Sequence, residues 1–301
     1  MLYETSLTGL KKEGALNDMN NGVPLGCDYI ELWKENMKEW DGTLSDRMVH
    51  DEAEDGFWKN FLEKKKQDGD SYINSYAYII QDELAKLFDK DDRVLEIGPG
   101  WGNYTFSAAE HVNQLTCVDI SQNIINFLRE ETAKKQLNNV SFINDKWEEI
   151  SIEQRYDVVF GVNCYYRIRE IGEALLKMNQ AASRLAIAGM TSGPEKPHYI
   201  DLYREHGYAI KFRRRDYIHL QNILYQLGIM ANCRMIEIPR IAVYPSYASL
   251  LRDNVSKILT PHYSKQIVEQ TLSKYVVERN GRIEYPYTIH AALLYWKPIE
   301  L

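Results

Sequence analysis

The stretch that most constrains this chain is residues 94–105, VLEIGPGWGNYT. Val94, Leu95 and Ile97 surround Glu96 and run straight into Gly98, Gly100 and Gly102, a pattern that predicts a buried strand breaking into a tight turn from which a helix starts. Glycine at alternate positions permits positive φ and lets a ligand approach main-chain N–H groups with no Cβ in the way. A second buried strand is predicted over residues 114–120, and it ends on Asp119, 23 residues after Glu96. A carboxylate there can accept both hydroxyls of a ribose. The dinucleotide fingerprint would need its third glycine at position 103, which is Asn103, so the turn suits an adenosine without a pyrophosphate.

A hydrophobic strand, an acidic residue, G-x-G-x-G and a second acidic residue closing the next strand resemble motif I of the class I S-adenosylmethionine-dependent methyltransferases. The resemblance covers about residues 70–192 and, more loosely, the terminal strands. It implies that Gly98, Gly100 and Gly102 form the cofactor turn, that Glu96 organises the methionine end, that Asp119 holds the ribose and that Ile120 packs on the adenine. Asp145, delivered by a third strand over residues 140–144, corresponds to the residue that accepts from the adenine amino group in this family. Lys146 and Trp147 follow it, Trp147 either covering the ring or packing structurally. The fold implied is an α/β, doubly wound, seven-stranded and mostly parallel sheet with helices on both faces. An N-terminal helical extension and a lid insertion after strand five complete it.

Bulk properties agree with that reading. The chain has 301 residues and 45% apolar content, enough for a sizeable core. A formal net charge of -7 provides no global field for phosphate backbones, so no nucleic-acid partner is expected. Cys27, Cys117, Cys164 and Cys233 form no C-x-x-C pair, which argues against a zinc site or a disulfide framework and suits a reducing cytoplasm. No metal site and no membrane span are expected, and the first twenty residues lack the apolar core of a signal peptide.

In order along the chain, residues 1–27 read as a loose arm without assigned chemistry. Residues 29–66 space Trp33, Trp40, Phe57, Trp58 and Phe61 at helical intervals, predicting short amphipathic helices that cap the main domain. The acidic run Asp51, Glu52, Glu54 and Asp55 could bind a divalent cation, but it reads more readily as a solvated helix start. Residues 1–70 are therefore taken as arm and cap, and residues 71–301 as the methyltransferase domain. A helix over residues 71–88 buries Ile73, Ala77, Ile80, Leu84 and Leu87, while Tyr72, Tyr76 and Tyr78 either reach the cofactor or pack at the surface. Ser121 caps a helix that buries Ile124, Ile125, Phe127 and Leu128.

The fourth strand, residues 156–162, exits through Asn163, Cys164, Tyr165 and Tyr166 toward the transferable methyl group. Asn163 and Tyr166 match the ends of the N/D-P-P-Y/F motif of methyltransferases acting on exocyclic amines, but Cys164 and Tyr165 replace both prolines. The chain looks more like the small-molecule enzymes. A helix over 169–183 and a fifth strand over 185–190 follow, and then a lid of about residues 192–230 rich in Tyr, His and Arg. Its basic cluster, Lys211, Arg213, Arg214 and Arg215, is either a clamp for a carboxylate or phosphate or a solvated surface. A helix over 216–228, a sixth strand over 233–238, helices over 246–259 and 265–278, and an antiparallel last strand over 288–296 complete the expectation, with His290 as core packing.

The expected chemistry is displacement at a sulfonium, for which an acceptor lone pair must be held in line about 3 Å from the methyl carbon. An acceptor that loses a proton needs a base, and Tyr166, His198 and His206 are the candidates. Tyr165, Tyr199 and Arg214 are the candidate substrate contacts. Three rival readings are a non-catalytic protein that binds the same cofactor, a nicotinamide-dependent reductase, and a nucleic-acid or protein methyltransferase. The sequence leaves the acceptor and the oligomeric state open.

Overall fold

The computed structural model describes residues 25–68, 73–193 and 195–300. Along the chain, helices α1 (Tyr29–Glu35), α2 (Asp46–Val49), α3 (Asp51–Asp68) and α4 (Ala77–Ala85) come first. A strand–helix alternation follows: β1 (Arg93–Ile97), α5 (Thr105–His111), β2 (Gln114–Asp119), α6 (Gln122–Lys134), β3 (Val140–Asn144), β4 (Tyr156–Val162), α7 (Ile171–Ala181) and β5 (Ala182–Ser192). The last part contains α8 (Pro197–His206), α9 (Tyr217–Gln226), β6 (Asn232–Tyr244), α10 (Tyr247–Asp253), α11 (Lys265–Ser273), β7 (Val277–Arg279) and β8 (Arg282–Trp296).

The strands form one sheet in the order β3-β2-β1-β4-β5-β8-β6, with β7 also paired to β8. The pairs β1/β2, β1/β4, β2/β3 and β4/β5 are parallel, and β8 is antiparallel to both β5 and β6. Helices cover both faces, so a strand's side chains are apolar in both directions. Leu95, Ile97 and Val159 point into a cluster with Leu175, Met178, Leu220 and Leu224 of α7 and α9. Val94, Val158 and Phe160, one residue out of phase, pack with Ile80, Leu84 and Ala108 of α4 and α5. At the entrance to α6, the Ser121 hydroxyl accepts from the Ile124 N–H, so the cap required of that residue is present.

The seven expected strands are present, and the structure adds an eighth. The helix expected over 265–278 stops at Ser273, and its tail turns into β7, which pairs with the start of β8. β6 and β8 run for 13 and 15 residues, well past the stretches the sequence suggested. Their far halves leave the main core and carry a separate cluster of Tyr199, Leu202, Tyr244, Leu250, Val268, Leu272 and Tyr285 with α8, α10 and α11. The helices expected over 71–88 and 246–259 are shorter, at Ala77–Ala85 and Tyr247–Asp253. Tyr72 and residues 1–24 of the expected arm lie outside the described residues. Among the described residues no helix is long and apolar enough to cross a membrane.

Candidate active site

β1 ends in the expected turn. Gly98, Gly100 and Gly102 all take positive φ, at 59, 54 and 84°. They are not equivalent. A Cβ on Gly98 would lie 2.5 Å from Cys164 Cβ, and one on Gly102 would lie 2.5 Å from the Phe106 ring, so both are held by packing. A Cβ on Gly100 would meet only the Trp58 ring edge, at 3.8 Å, and would project into a cavity of about 380 Å³ at the carboxyl edge of the sheet. Gly98, Gly100, Asp119, Ile120, Asp145, Lys146, Trp147, Asn163 and Tyr166 all line this cavity.

Asp119 arrives from β2 with one oxygen accepting the Ser121 N–H at 2.8 Å and the other the Gly100 N–H at 3.4 Å. Burial pushes its carboxyl up to about 7, against those two amide donors, and the nearby Glu54 and Asp55 add to the rise. Asn163 sits at the end of β4 with φ 59°. Its side-chain oxygen accepts from both the Thr191 N–H (2.7 Å) and the Thr191 hydroxyl (3.0 Å). Trp147 is both a lining residue and an anchored one: its indole N–H donates to the Ala174 carbonyl at 3.2 Å, and the Lys177 ammonium lies 5.0 Å from its ring.

α2 and α3 roof the cavity, and the acidic run corrects its expected role. It is not a solvated helix start. Glu54 is 1% exposed and accepts from Arg47 Nε (2.8 Å) and Nη2 (3.1 Å), from Trp58 Nε1 (2.7 Å) and from the Tyr166 hydroxyl. The Arg47 guanidinium lies 3.3 Å above the Phe57 ring. Asp51 pairs with Lys146 at 2.8 Å and with Arg167 at 2.7 Å. Asp55 accepts from the Ser121 hydroxyl and from both the N–H and the side-chain amide of Asn123. Glu52 faces solvent, and Asp51 lies partly exposed at the helix start. The positions 51, 54, 55 and 58 share one helical face, a periodicity that was available in the sequence.

Whether these residues suit an adenosyl cofactor is answered by the polar groups left over. Trp101 Nε1 and the Tyr104 hydroxyl are buried without a hydrogen-bond partner among the described residues, and both side chains line the cavity. Buried donors of this kind are satisfied when a polar ligand occupies the space. With an acidic acceptor at Asp119 and an unshielded turn at Gly100, the donor and acceptor set fits a ligand carrying a sugar diol and an ionised end group. Residues 94–184 match the family described as "Methyltransferase domain". The chain carries a class I S-adenosylmethionine-dependent methyltransferase domain.

The ribosomal RNA small subunit methyltransferase A of Fusobacterium nucleatum is 24% identical to this methyltransferase over 247 residues, 73% of this chain and 92% of that protein. The protein of the same name from Lachnoclostridium phytofermentans is 31% identical over 98 residues, 27% of this chain and 33% of that protein. Among solved structures, one from Bacillus halodurans aligns with a TM-score of 0.49 at 14% identity, covering 75% of this chain and 99% of that one. The N-methyltransferase NodS from Bradyrhizobium japonicum, in complex with S-adenosylhomocysteine, aligns with a TM-score of 0.43 at 13% identity over 75% and 89% of the two chains.

Several predicted residues of the methyltransferase stand elsewhere. Glu96 does not line the cavity; it lies behind the turn, 1% exposed, accepting from the Thr105 hydroxyl at 2.7 Å and the Cys117 thiol at 3.6 Å. Burial pushes its carboxyl up to about 8. Tyr165 is buried with its hydroxyl donating to the Gly161 carbonyl at 2.9 Å, so it packs beneath the site. His198 and Tyr199 belong to the cluster on the β6–β8 extension. His198 Nε2 donates to the Asn254 carbonyl and Nδ1 accepts from the Tyr285 hydroxyl, and burial lowers its pKa to about 3. A neutral imidazole with both nitrogens engaged is no base for the reaction. Arg214 is absent from the lining of this cavity but borders a second one, and it donates to the carbonyls of Glu35, Lys38 and Glu39 at the C-terminal end of α1 and just beyond. Conversely, Met48, Glu54, Trp58, Trp101, Tyr104 and Arg167 line the cavity, although the sequence does not single them out as site residues. Among the described residues no group of His, Cys, Asp and Glu is arranged to hold a metal ion.

Proposed function

We propose that this enzyme methylates a small molecule held beneath its N-terminal helices. The observation that carries the reading is a second cavity of about 310 Å³, which shares Met48 and Tyr166 with the cofactor cavity and is otherwise walled by Trp33, Trp40, Met190 and residues 211–215. Two adjoining spaces of this size suit a cofactor and a compact acceptor. S-Adenosylmethionine supplies the electrophilic methyl group and its own leaving group. The protein's part is to place the acceptor and exclude water. Glu54 fixes the Tyr166 phenol, and burial together with that carboxylate raises the phenol's pKa above its ordinary value. Tyr166 in this reading is a protonated, oriented wall of the site rather than a proton acceptor. Neither cavity is lined by a histidine among the described residues, which favours an acceptor that needs no base from one.

The similarity to the ribosomal RNA methyltransferases favours a second reading, an adenine amine in RNA as acceptor. Against it stands Asn163, whose carbonyl oxygen is already taken by two donors of Thr191 and so is not free to accept from an amine. The two readings separate in one assay. S-Adenosylhomocysteine release is followed with a panel of small acceptors and, in parallel, with protein-free ribosomal RNA. Turnover with RNA alone refutes the small-molecule reading; turnover with a small acceptor and none with RNA supports it.

A further inference from the structure

The second cavity has an unusual charge arrangement. Lys38, Lys211 and Lys257 on its rim each pair with an acid, at Glu35, Glu39 and Glu195. The three consecutive arginines do not. Arg213 donates to the Thr191 carbonyl at 2.7 Å, Arg214 to the main chain after α1, and Arg215 to the Tyr166 carbonyl at 2.8 Å. Among the described residues none of the three has a carboxylate within ion-pair distance. Arg213 is exposed and Arg214 has a structural task, so Arg215 is the informative one. It is half-buried, its guanidinium lies 5.1 Å from the Trp33 ring, and one N–H is spent on a neutral carbonyl. Burial lowers its pKa to about 10, against the attraction of Glu39 and with Arg214 adding its repulsion.

A guanidinium carried into a low-dielectric space costs free energy unless an anion meets it, and a planar fork with unspent donors matches an oxyacid. The remaining walls are mostly apolar, Trp33, Met37, Trp40, Met48, Met190 and Phe212, with Asn36 and the Lys211-paired Glu39 as polar members. We infer that the second cavity binds the anionic head of the methyl acceptor, an amphipathic small molecule carrying a carboxylate or a phosphate, with Arg215 as the principal contact and Arg213 at the mouth. The bond between Arg215 and the Tyr166 carbonyl would then couple seating of the anion to the wall that the two cavities share. This inference rests on the small-molecule reading and narrows it to one acceptor class.

The test uses matched probes on the full chain saturated with S-adenosylhomocysteine. Benzoate, phenyl phosphate, benzamide and benzylamine are titrated while tryptophan fluorescence is read, since Trp33 and Trp40 border the cavity. Saturable binding of benzoate or phenyl phosphate, at least tenfold tighter than benzamide or benzylamine, is expected; whichever anion binds better identifies the head group. Arg215→Gln should abolish that preference and Arg215→Lys should restore part of it, with thermal unfolding confirming that both variants fold. Equal binding of benzoate and benzamide, no binding of either anion at millimolar concentration, or an anion preference that survives Arg215→Gln overturns the inference. If the acceptor panel then yields turnover with neutral small molecules only, this inference fails and the small-molecule reading stands. Turnover with RNA alone overturns both.

Discussion

The carboxyl of Asp119 makes cofactor affinity a function of pH in a range where carboxylates ordinarily do not titrate. Burial holds its pKa at about 7 instead of the usual 3.8. Its proposed task is to accept from two ribose hydroxyls, and an ionised carboxylate accepts them far better than a protonated one. Binding therefore favours the ionised form, and below the free-site pKa the bound proton must be expelled first. The ionised fraction is about nine-tenths at pH 8 and about one-tenth at pH 6, a difference of about 1.4 kcal/mol, so S-adenosylhomocysteine should bind about tenfold more weakly at pH 6. Asp119→Asn should remove most of that dependence and weaken binding at pH 8 by about 1.5–3 kcal/mol, since the hydrogen bonds to a charged acceptor are lost. Its amide oxygen can still accept the Ser121 N–H, so the turn should survive. Calorimetric titration of wild type and variant across this range is the measurement. A wild-type Kd that is flat from pH 6 to pH 8, or a variant that keeps the wild-type slope, refutes both the buried carboxyl and its role.

Other perturbations follow from the same geometry. Gly100→Val should cost at least a hundredfold in cofactor affinity because its side chain enters the cavity, with about 1–2 kcal/mol of backbone strain; Gly102→Ala should instead unfold the protein at a lower temperature through its clash with Phe106 and Leu128, as circular dichroism melts would register. Glu54→Gln strips the charge partner from Arg47 and should destabilise the fold by about 3 kcal/mol in urea denaturation, with a matching loss of cofactor binding. Glu96 keeps its proton in the folded state up to about 8 while the unfolded chain ionises near 4.5, so the folded state binds the extra proton and its stability falls as pH rises between those values. Denaturation of Glu96→Gln should show a shallower decline over that window. His198 acts in the opposite direction: with its pKa lowered to about 3, it withdraws stability as pH falls from about 6.5, and its imidazole resonances should stay neutral throughout pH 5–8.

The parts of this protein read correctly from sequence are those where one local pattern decides the outcome. Val94, Leu95 and Ile97 are buried on both faces of β1, and no other element of that length satisfies such a run followed by alternate glycines. Asp119, Asp145 and Asn163 reached the right edge because parallel strands all end there. Sequence reasoning failed where a charge is buried by partners remote along the chain. Glu54 is satisfied in part by Tyr166, 112 positions away, and only its place on the helical face shared with Asp51, Asp55 and Trp58 distinguishes it from its exposed neighbour Glu52. His198 looked available for catalysis because its packing against Tyr285 and Asn254 depends on the length of β6 and β8, which apolar alternation understated. The basic run after α8 reads in sequence as either clamp or surface, and the three arginines have different neighbours and hence different tasks.

Asp55 links the roof to the floor. From α3 it grips Ser121 and Asn123, at the start of the helix that follows Asp119, and Ser121 in turn donates its N–H to the Asp119 carboxylate. Prying α3 upward thus tugs on the very loop that carries Asp119, and a ligand held by that carboxylate would brace α3 in return. Met48, just ahead of α3, borders the second cavity as well, so on the proposed small-molecule reading the brace favours an order of events in which the methyl donor arrives first and its partner second.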